Sequence, residues 1–402
     1  MALPLHGLRV LDLTNVMAGP FCCYQLALLG AEVIKVEAPG GGDLARQLGA
    51  DAELSQQFMG TSYLAQNAGK KSIAIDLKHP DGKAVFRRLV GSADALVESF
   101  RPGVMTRLGL DAPTLRADNE RLVYCALSGF GQTGPLSKRP AYDQIIQGLS
   151  GIMSVTGSEE TAPLRVGFPI SDAIAGLNAA MAVSAALAGA ARTGTGCTID
   201  VSMLEATMAT AAWVVSNYLM TGQTPQPMGN ENRTACPSGT FRTADDPLNI
   251  AANKQTHWEA VARVLGVEEL IHDPRFRDRE DRKRNRAELN ALLEGRLVTE
   301  SALHWEEALN EVGVPAGRVL SVPDALALPQ VNERGLVRTF EEVPGVDRPI
   351  RVLNGGFVVV GEGRGELEPP ARLGEHGPEI LARLGLTDDE IAQLRAAKAI
   401  QP

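Results

Sequence analysis

A chain of 402 residues is longer than one hydrophobic core comfortably organises, so two domains are expected. With 44% hydrophobic and 22% charged residues the composition is that of an ordinary globular protein, and a net charge of −9 argues against general nucleic-acid affinity while allowing a local basic cleft. The five cysteines, Cys22, Cys23, Cys125, Cys197 and Cys236, form no C-x-x-C pair, and the six histidines no H-E-x-x-H, so no metal site is expected and the thiols read as reduced core residues of a cytoplasmic protein.

No basic segment precedes a long apolar run at the start, so no signal peptide is expected. Leu8–Leu13 reads as a strand. Ala18-Gly19-Pro20 then opens a helix, with proline suited to the first turn, and Gly30 ends it after Leu29. Glu32–Glu37 reads as the second strand, and the resulting βαβ unit predicts a parallel sheet. A nicotinamide-binding Rossmann domain would carry G-x-G-x-x-G in the first turn. Here that turn reads Thr-Asn-Val-Met-Ala-Gly-Pro, with no glycine pair to admit a pyrophosphate, so NAD is excluded. Gly69-Lys70-Lys71 lacks the rest of a P-loop.

Gly40-Gly41-Gly42-Asp43 forms a flexible turn. Ser72–Leu77 alternates as a strand with Lys78 at its exit, Pro80–Val90 reads as a helix, and Ala95–Ser99 as a strand. Val104–Leu108 opens a helical segment, and the strand Leu122–Leu127 runs into a glycine-rich loop able to approach a ligand closely. Leu164–Ile170 is short, apolar and β-prone, and predicts a strand. After Ser171 and Asp172 an alanine-rich run reaches Arg192 and then glycines. Interrupted by Asn178 and Ser184, it reads as a buried helix and not as a membrane span.

Asp172 therefore sits in or just before the first turn of that helix. One reading is a helix cap, its carboxylate bonded to free backbone N–H groups. The other is a nucleophile. A helix N-terminus favours the ionised carboxylate by ~0.3–1 kcal/mol, the same N–H groups could stabilise an oxyanion, and a carboxylate can attack an activated acyl group. Position alone does not separate the two. Beyond it, a helix from Glu205 to about Met220 gives way to the proline-rich, polar Thr221–Ser238, a domain boundary. The mixed charges of Arg275–Arg286 read as a solvated helix face. Shorter strands return at Arg351–Leu353 and Gly356–Val360, and Pro378–Lys398 reads as a polar helical pair.

Several stretches together resemble the family III CoA-transferases, a group that includes formyl-CoA transferase, crotonobetainyl-CoA:carnitine CoA-transferase and the 2-methylacyl-CoA racemases. They are Leu-x-Gly-x-Arg-Val-Leu-Asp-Leu-Thr (5–14), Leu-Gly-Ala-Glu-Val-Ile-Lys-Val-Glu (29–37), Lys-Ser-Ile-Ala-Ile-Asp-Leu-Lys (71–78), Glu-Ser-Phe-Arg-Pro-Gly (98–103), Gly-Phe-Pro-Ile-Ser-Asp (167–172) and Asp-Val-Ser-Met-Leu-Glu-Ala (200–206). The resemblance implies an α/β fold with a Rossmann-like large domain, a parallel sheet and a smaller α/β domain, in an interlocked homodimer. Residues 1–220 would be the first part of the large domain, 221–238 a linker, 239–320 the small domain, and 321–402 the return to the large domain.

The resemblance also implies a reaction. Asp172 would attack an acyl-CoA thioester and pass through an aspartyl–CoA thioester, moving CoA from a donor such as succinyl-CoA to a small carboxylic acid. CoA thioesters would be substrates, with no permanently bound cofactor. Val16, Met17 and Ala18 match a loop touching the nucleotide end of CoA. Ile75 and Lys78 match a pair near adenine and phosphate, Ser99 and Phe100 a position commonly Asn-Phe, and Arg107 a phosphate-binding arginine. Ala38 stands where formyl-CoA transferase has a CoA-contacting arginine, which moves that contact to Arg46 or weakens it. The glycine run of formyl-CoA transferase is replaced by Met-Gly-Asn-Glu-Asn-Arg at 228–233. Arg165 and Arg233 are candidate ligands for the acceptor carboxylate, against a plain reading as surface arginines. The alternatives are a 2-methylacyl-CoA racemase and a non-catalytic CoA-binding module. Against the racemase, the histidine that would flank Asp172 is replaced by Tyr142.

Overall fold

The computed structural model describes residues 2–401. Six parallel strands form the framework: β1 (Arg9–Leu13), β2 (Glu32–Glu37), β3 (Lys70–Ile75), β4 (Ala95–Glu98), β5 (Val123–Ser128) and β6 (Thr198–Ser202). Their spatial order is β3-β2-β1-β4-β5-β6. The order reverses between β1 and β4: the chain first winds outward through β2 and β3, then crosses β1 and continues through β4. Such a switch point opens a crevice at the carboxyl ends of the two strands.

Helices cover both faces, so the central strands are buried and mostly apolar, with Asp12, Lys35 and Glu37 among the buried charged exceptions, and every residue of β5 is buried. Neighbours on a strand still point to opposite sides. Val10 of β1 packs with Cys22, Leu26, Val97 and Val183, and Leu11 with Ile34, Phe86, Leu96 and Leu115. On the first face, helix α1 (Ala18–Leu28) lies against helix α3 (Ile170–Thr193), introduced by the short α2 (Asp143–Leu149). The contact is close because Gly176 has no side chain: a Cβ there would stand 2.6 Å from the Ala18 carbonyl oxygen. α3 is 24 residues long and contains an 18-residue stretch of mean hydropathy 1.6, long and apolar enough to cross a bilayer. Its Ala175, Ala179 and Val183 are nevertheless packed into this core, while Leu177 and Met181 remain exposed.

Two compact units emerge. The larger holds Met1–Ile152, Arg165–Gln223 and Asn332–Pro402, and the smaller Met153–Leu164 and Thr224–Val331. The smaller unit has the antiparallel strands β7 (Ser238–Phe241), β8 (Leu248–Ala251) and β9 (Ala316–Arg318), in that spatial order. Helices bury Trp258, Phe276, Leu289 and Leu293 in its core. In the larger unit the hairpin of β10 (Val337–Phe340) and β11 (Ile350–Leu353) packs on Tyr24, Leu28 and Tyr63, and β12 (Ile400–Gln401) adds an antiparallel edge to β3.

Several local expectations change. Leu164–Ile170 forms no strand, because the Val166 N–H is taken by the Gln147 side chain at 2.9 Å instead of a neighbouring strand. The helix expected from Glu205 to Met220 is broken into Met203–Thr210 and Trp213–Thr221, with Ala212 at φ 41° in the break. Gly356–Val360 keeps only an isolated bridge between Val359 and Gly363. Arg275–Arg286 is not wholly a solvated face, since Arg282 is buried and donates to the Cys236 and Phe276 carbonyls. All five cysteines are free, but Cys197 is exposed and not part of a core.

Candidate active site

The crevice between β1 and β4 is where the chain gathers its candidate residues, all of them in the larger unit. The loop after β1 and the loop after β4 are tied together by a bond from the Asn15 N–H to Ser99 Oγ at 3.0 Å. On one side of this tie a cavity of about 220 Å³ is lined by Val16, Met17 and Ala18, by Ser99 and Arg101, and by Asp172. On the other side a cavity of about 210 Å³ is lined by Ala38, Ile75, Lys78 and Phe100. Asn15 borders both. The nine expected site residues are thus brought to adjoining cavities with one exception: Arg107 is exposed and lines neither.

Asp172 is the third residue of α3, whose N-cap is Pro169. It does not cap its own helix. Asp143, the first residue of α2, does so from outside: its Oδ1 accepts the N–H of Ser171 at 2.8 Å and of Asp172 at 3.4 Å. Gln147, one turn along α2, donates to Asp143 Oδ2 at 2.7 Å and holds the cap in place. Two sequence-based expectations are corrected here. The first N–H groups of α3 are occupied and do not face an oxyanion. The helix terminus also does not leave Asp172 an ordinary ionised carboxylate, because burial and the Asp143 charge push its pKa up to about 7.

Arg46 does not replace the cation missing at Ala38. It is fully buried, with Nε on Glu37 Oε1 at 2.7 Å, a second bond to the Tyr63 hydroxyl at 2.7 Å, and its guanidinium carbon 3.7 Å from the centre of the Tyr63 ring. Arg165 lies 3.7 Å from Asp143 Oδ2 and does not line the Asp172 cavity. Arg233 belongs to the smaller unit and donates to the Gln226 carbonyl at 3.0 Å. Tyr142 lines the Asp172 cavity and is 65% exposed, so it is not a packed aromatic.

Two residues lining the cavity and one behind it escape sequence reasoning. Arg101 brings a cation, and Ser128 an Oγ that is buried without a hydrogen-bond partner. The third is Asp143, whose cap on α3 no local pattern announces. Arg101 lies in Glu-Ser-Phe-Arg-Pro-Gly and Ser128 opens the glycine-rich loop after β5, but only the sheet order shows which side chains turn to the crevice.

The comparisons agree with this architecture. A family model described as CoA-transferase family III matches residues 5–377. The chain is 39% identical over 350 residues to an acetyl-CoA:oxalate CoA-transferase of Acetobacter aceti, covering 87% of this chain and 89% of that one. It is 35% identical over 395 residues to a succinate–glutarate CoA-transferase of Agrobacterium fabrum, covering 95% and 96%. The crystal structure of a CaiB/BaiF family protein from Brucella suis superposes with a TM-score of 0.81 at 35% identity, covering 96% of this chain and all of that one.

Proposed function

The chain belongs to CoA-transferase family III, and we propose that it moves CoA from an acyl-CoA donor, succinyl-CoA in the first instance, to a small carboxylic acid through a covalent intermediate on Asp172. Its activity is that of an acyl-CoA:carboxylate CoA-transferase, with CoA thioesters as substrates. The observation that carries the Asp172 reading is the pair of adjoining cavities. One presents Asp172 beside Val16–Ala18, which puts that loop at the thioester end and not at the nucleotide end that the resemblance implies, and the other presents Lys78 beside Ile75 and Phe100. A long substrate with a thioester at one end and phosphates toward the other fits this division of labour.

The ionised carboxylate of Asp172 attacks the thioester carbonyl carbon. Collapse of the tetrahedral oxyanion expels CoA thiolate and leaves an aspartyl–acyl anhydride. The thiolate then attacks the aspartyl carbonyl of the anhydride, releasing the donor acid and forming the aspartyl–CoA thioester. An acceptor carboxylate attacks that thioester and reverses the sequence, so each bond made is matched by one broken and no proton need be moved. A carboxylate is a weak nucleophile, and the chemistry depends on proximity and on donors for the oxyanion. With the first α3 amides taken, candidate oxyanion donors in this cavity are the first N–H groups of α1 at Ala18 and Gly19, which have no acceptor in a preceding helical turn, and the unpartnered Ser128 hydroxyl. Arg101 supplies a cation for the acceptor carboxylate. Succinyl-CoA as donor and glutarate as acceptor are supported by the substrates named for a succinyl-CoA:glutarate CoA-transferase of Mus musculus, and oxalate as acceptor by those named for the Acetobacter relative.

Racemisation needs two acid/base groups on opposite faces of one carbon. Among the described residues lining the cavity, Asp172 is the one carboxylate and there is no histidine, which favours transfer. The test is to incubate the enzyme with succinyl-CoA and digest it. A hydroxylamine-labile, CoA-sized addition should appear on the peptide holding Asp172 and be absent from Asp172→Ala. An Asp172→Ala enzyme that still transfers CoA would overturn the assignment.

The same reading takes the chain as a homodimer in a reducing, cytoplasmic setting. It is supported by the apolar side chains left uncovered on α3 and on the helix Trp213–Thr221, which buries none of its residues, and by the free thiols.

A further inference from the structure

Under the Asp172 cavity lies a group of charges that the transfer chemistry does not use. Asp12, Lys35, Asp43 and Lys70 are all buried. Lys35 Nζ stands 2.9 Å from Asp43 Oδ2 and 3.8 Å from Asp12 Oδ2, and Lys70 Nζ stands 2.9 Å from that same Asp12 oxygen. Burial works against each charge, but the opposite charges outweigh it: the pKa values of Asp12 and Asp43 are lowered and that of Lys35 is raised. Ion pairs are an expensive way to fill a core, and apolar side chains of similar volume often do as well or better. Their remaining hydrogen bonds show what these charges hold.

Those bonds converge on the loop after β1. Lys35 Nζ donates to the Thr14 carbonyl at 2.9 Å. Asp12 Oδ1 accepts the Thr14 N–H at 3.0 Å. Asp43 Oδ1 accepts the Val16 N–H at 2.9 Å, and also the Ala45 N–H at 2.9 Å, which fixes the carboxylate from its own side. Val16 itself has φ 68°, a left-handed conformation that a β-branched residue adopts only when its surroundings impose it. Strain of this kind collects at functional sites. Val16 lines the cavity that contains Asp172, and it directly precedes the Met17–Ala18 start of α1.

We propose that Asp43, oriented by its buried pairing with Lys35, is a positioning residue of the transfer reaction. It holds Val16 in the left-handed conformation and so sets the Asn15–Ala18 wall against which acyl-CoA lies. This rests on the reading of that cavity as the acyl-CoA site. Asp43 touches no substrate; it acts through the backbone of Val16. The left-handed turn leads directly into the first residues of α1, which line the cavity, so releasing it affects both the hold on CoA and the start of that helix.

The experiment uses a second substitution that supplies the conformation without the carboxylate. Glycine adopts positive φ at no steric cost. Asp43→Ala should raise KM for succinyl-CoA and weaken CoA binding in calorimetry by about tenfold, as release of a strained site residue allows. Adding Val16→Gly should recover most of that loss in KM and Kd. It should leave the fall in Tm unrecovered, because the Lys35 charge is still buried without its partner. Should Asp43→Ala fail to fold, the KM and Kd comparison is made on Asp43→Ala combined with Lys35→Met, which removes both buried charges and leaves no side-chain acceptor for the Val16 N–H. The proposal is overturned if the Asp43 variants lose Tm with KM and Kd unchanged, or if Val16→Gly restores neither. A wild-type enzyme that binds no CoA would instead overturn the cavity assignment, so the two failures are distinct.

Discussion

The carboxylate of Asp143 caps the helix that carries Asp172, accepting the Asp172 N–H at 3.4 Å and its neighbour Ser171's at 2.8 Å. The positive end of the helix is thereby spent on Asp143, and Asp172 is left partly buried beside a like charge. A carboxylate in that position holds its proton more tightly, and with a pKa of about 7 it is also a stronger nucleophile once ionised than an ordinary aspartate.

Activity should therefore fall as pH drops through about 7, where Asp172 gains its proton. Asp143→Asn removes the like charge and keeps an oxygen able to cap the helix. The acid limb of the kcat/KM profile for acyl-CoA should move to lower pH in this variant, while burial keeps it above the range of a free aspartate. A limb that stays in place would show that the Asp143 charge does not reach Asp172.

The same raised pKa is a statement about stability. Between pH 4 and 7 an unfolded Asp172 has lost its proton while the folded one retains it, so folding is favoured at low pH and this contribution is lost as pH rises to about 7. A shift from 3.8 to about 7 corresponds to roughly 2–4 kcal/mol once partial solvation is allowed for. Asp172→Asn, inactive as a transferase, should then be more stable than wild type at pH 8 by that order, with the difference shrinking toward pH 4. Equal denaturation curves at both pH values would contradict it.

What the sequence showed and what it hid follow one division. The unit from β1 through α1 to β2 was legible because alternating apolar residues, Ala18-Gly19-Pro20 and Gly30 act locally. Asp172 at a helix start was legible for the same reason. The segment before it reads as a strand because its apolar residues look β-prone, whereas its conformation is set by Gln147 and Asp143, which lie roughly twenty to thirty residues earlier. Arg46 shows the same limit. An arginine after a glycine turn reads alike whether it meets a phosphate or a buried glutamate, and only the approach of Glu37 and Tyr63 decides it. The break at Ala212 and the two-residue β12 carry no local signal at all.

The two cations expected to hold phosphate should now separate. Lys78 lines the cavity beside Ile75 and Ala38, and Arg107 lines neither cavity. Lys78→Ala should raise KM for acyl-CoA by about tenfold, in keeping with one charge-assisted phosphate contact, and the loss should shrink at high salt. Arg107→Ala should have a smaller effect on the same KM, and neither should change KM for the free acid. If Arg107→Ala proves the more damaging, the phosphates lie along the outer face of Val104–Leu108 and not in the cavity.

The last expectation concerns the second copy of the chain. Trp213, Leu219 and Met220 are 77%, 75% and 74% exposed on the helix Trp213–Thr221, and Met181 is 66% exposed on α3. Close to α3, Leu177, Met181, Ile350 and Phe357 line an apolar groove of about 850 Å³ between it and β11. Apolar surface left in water favours burial, and each large side chain so buried contributes about 1.5–3 kcal/mol. A homodimer that meets through these surfaces should sediment at twice the chain mass. If the chains are also interlocked, dissociation requires unfolding, so the dimer mass should persist on extreme dilution. Replacing Trp213 and Met220 by aspartate places charges on the expected contact and should yield monomer or insoluble protein. A wild-type monomer in analytical ultracentrifugation would refute the dimer, and a dimer that dissociates reversibly on dilution would refute the interlocking alone.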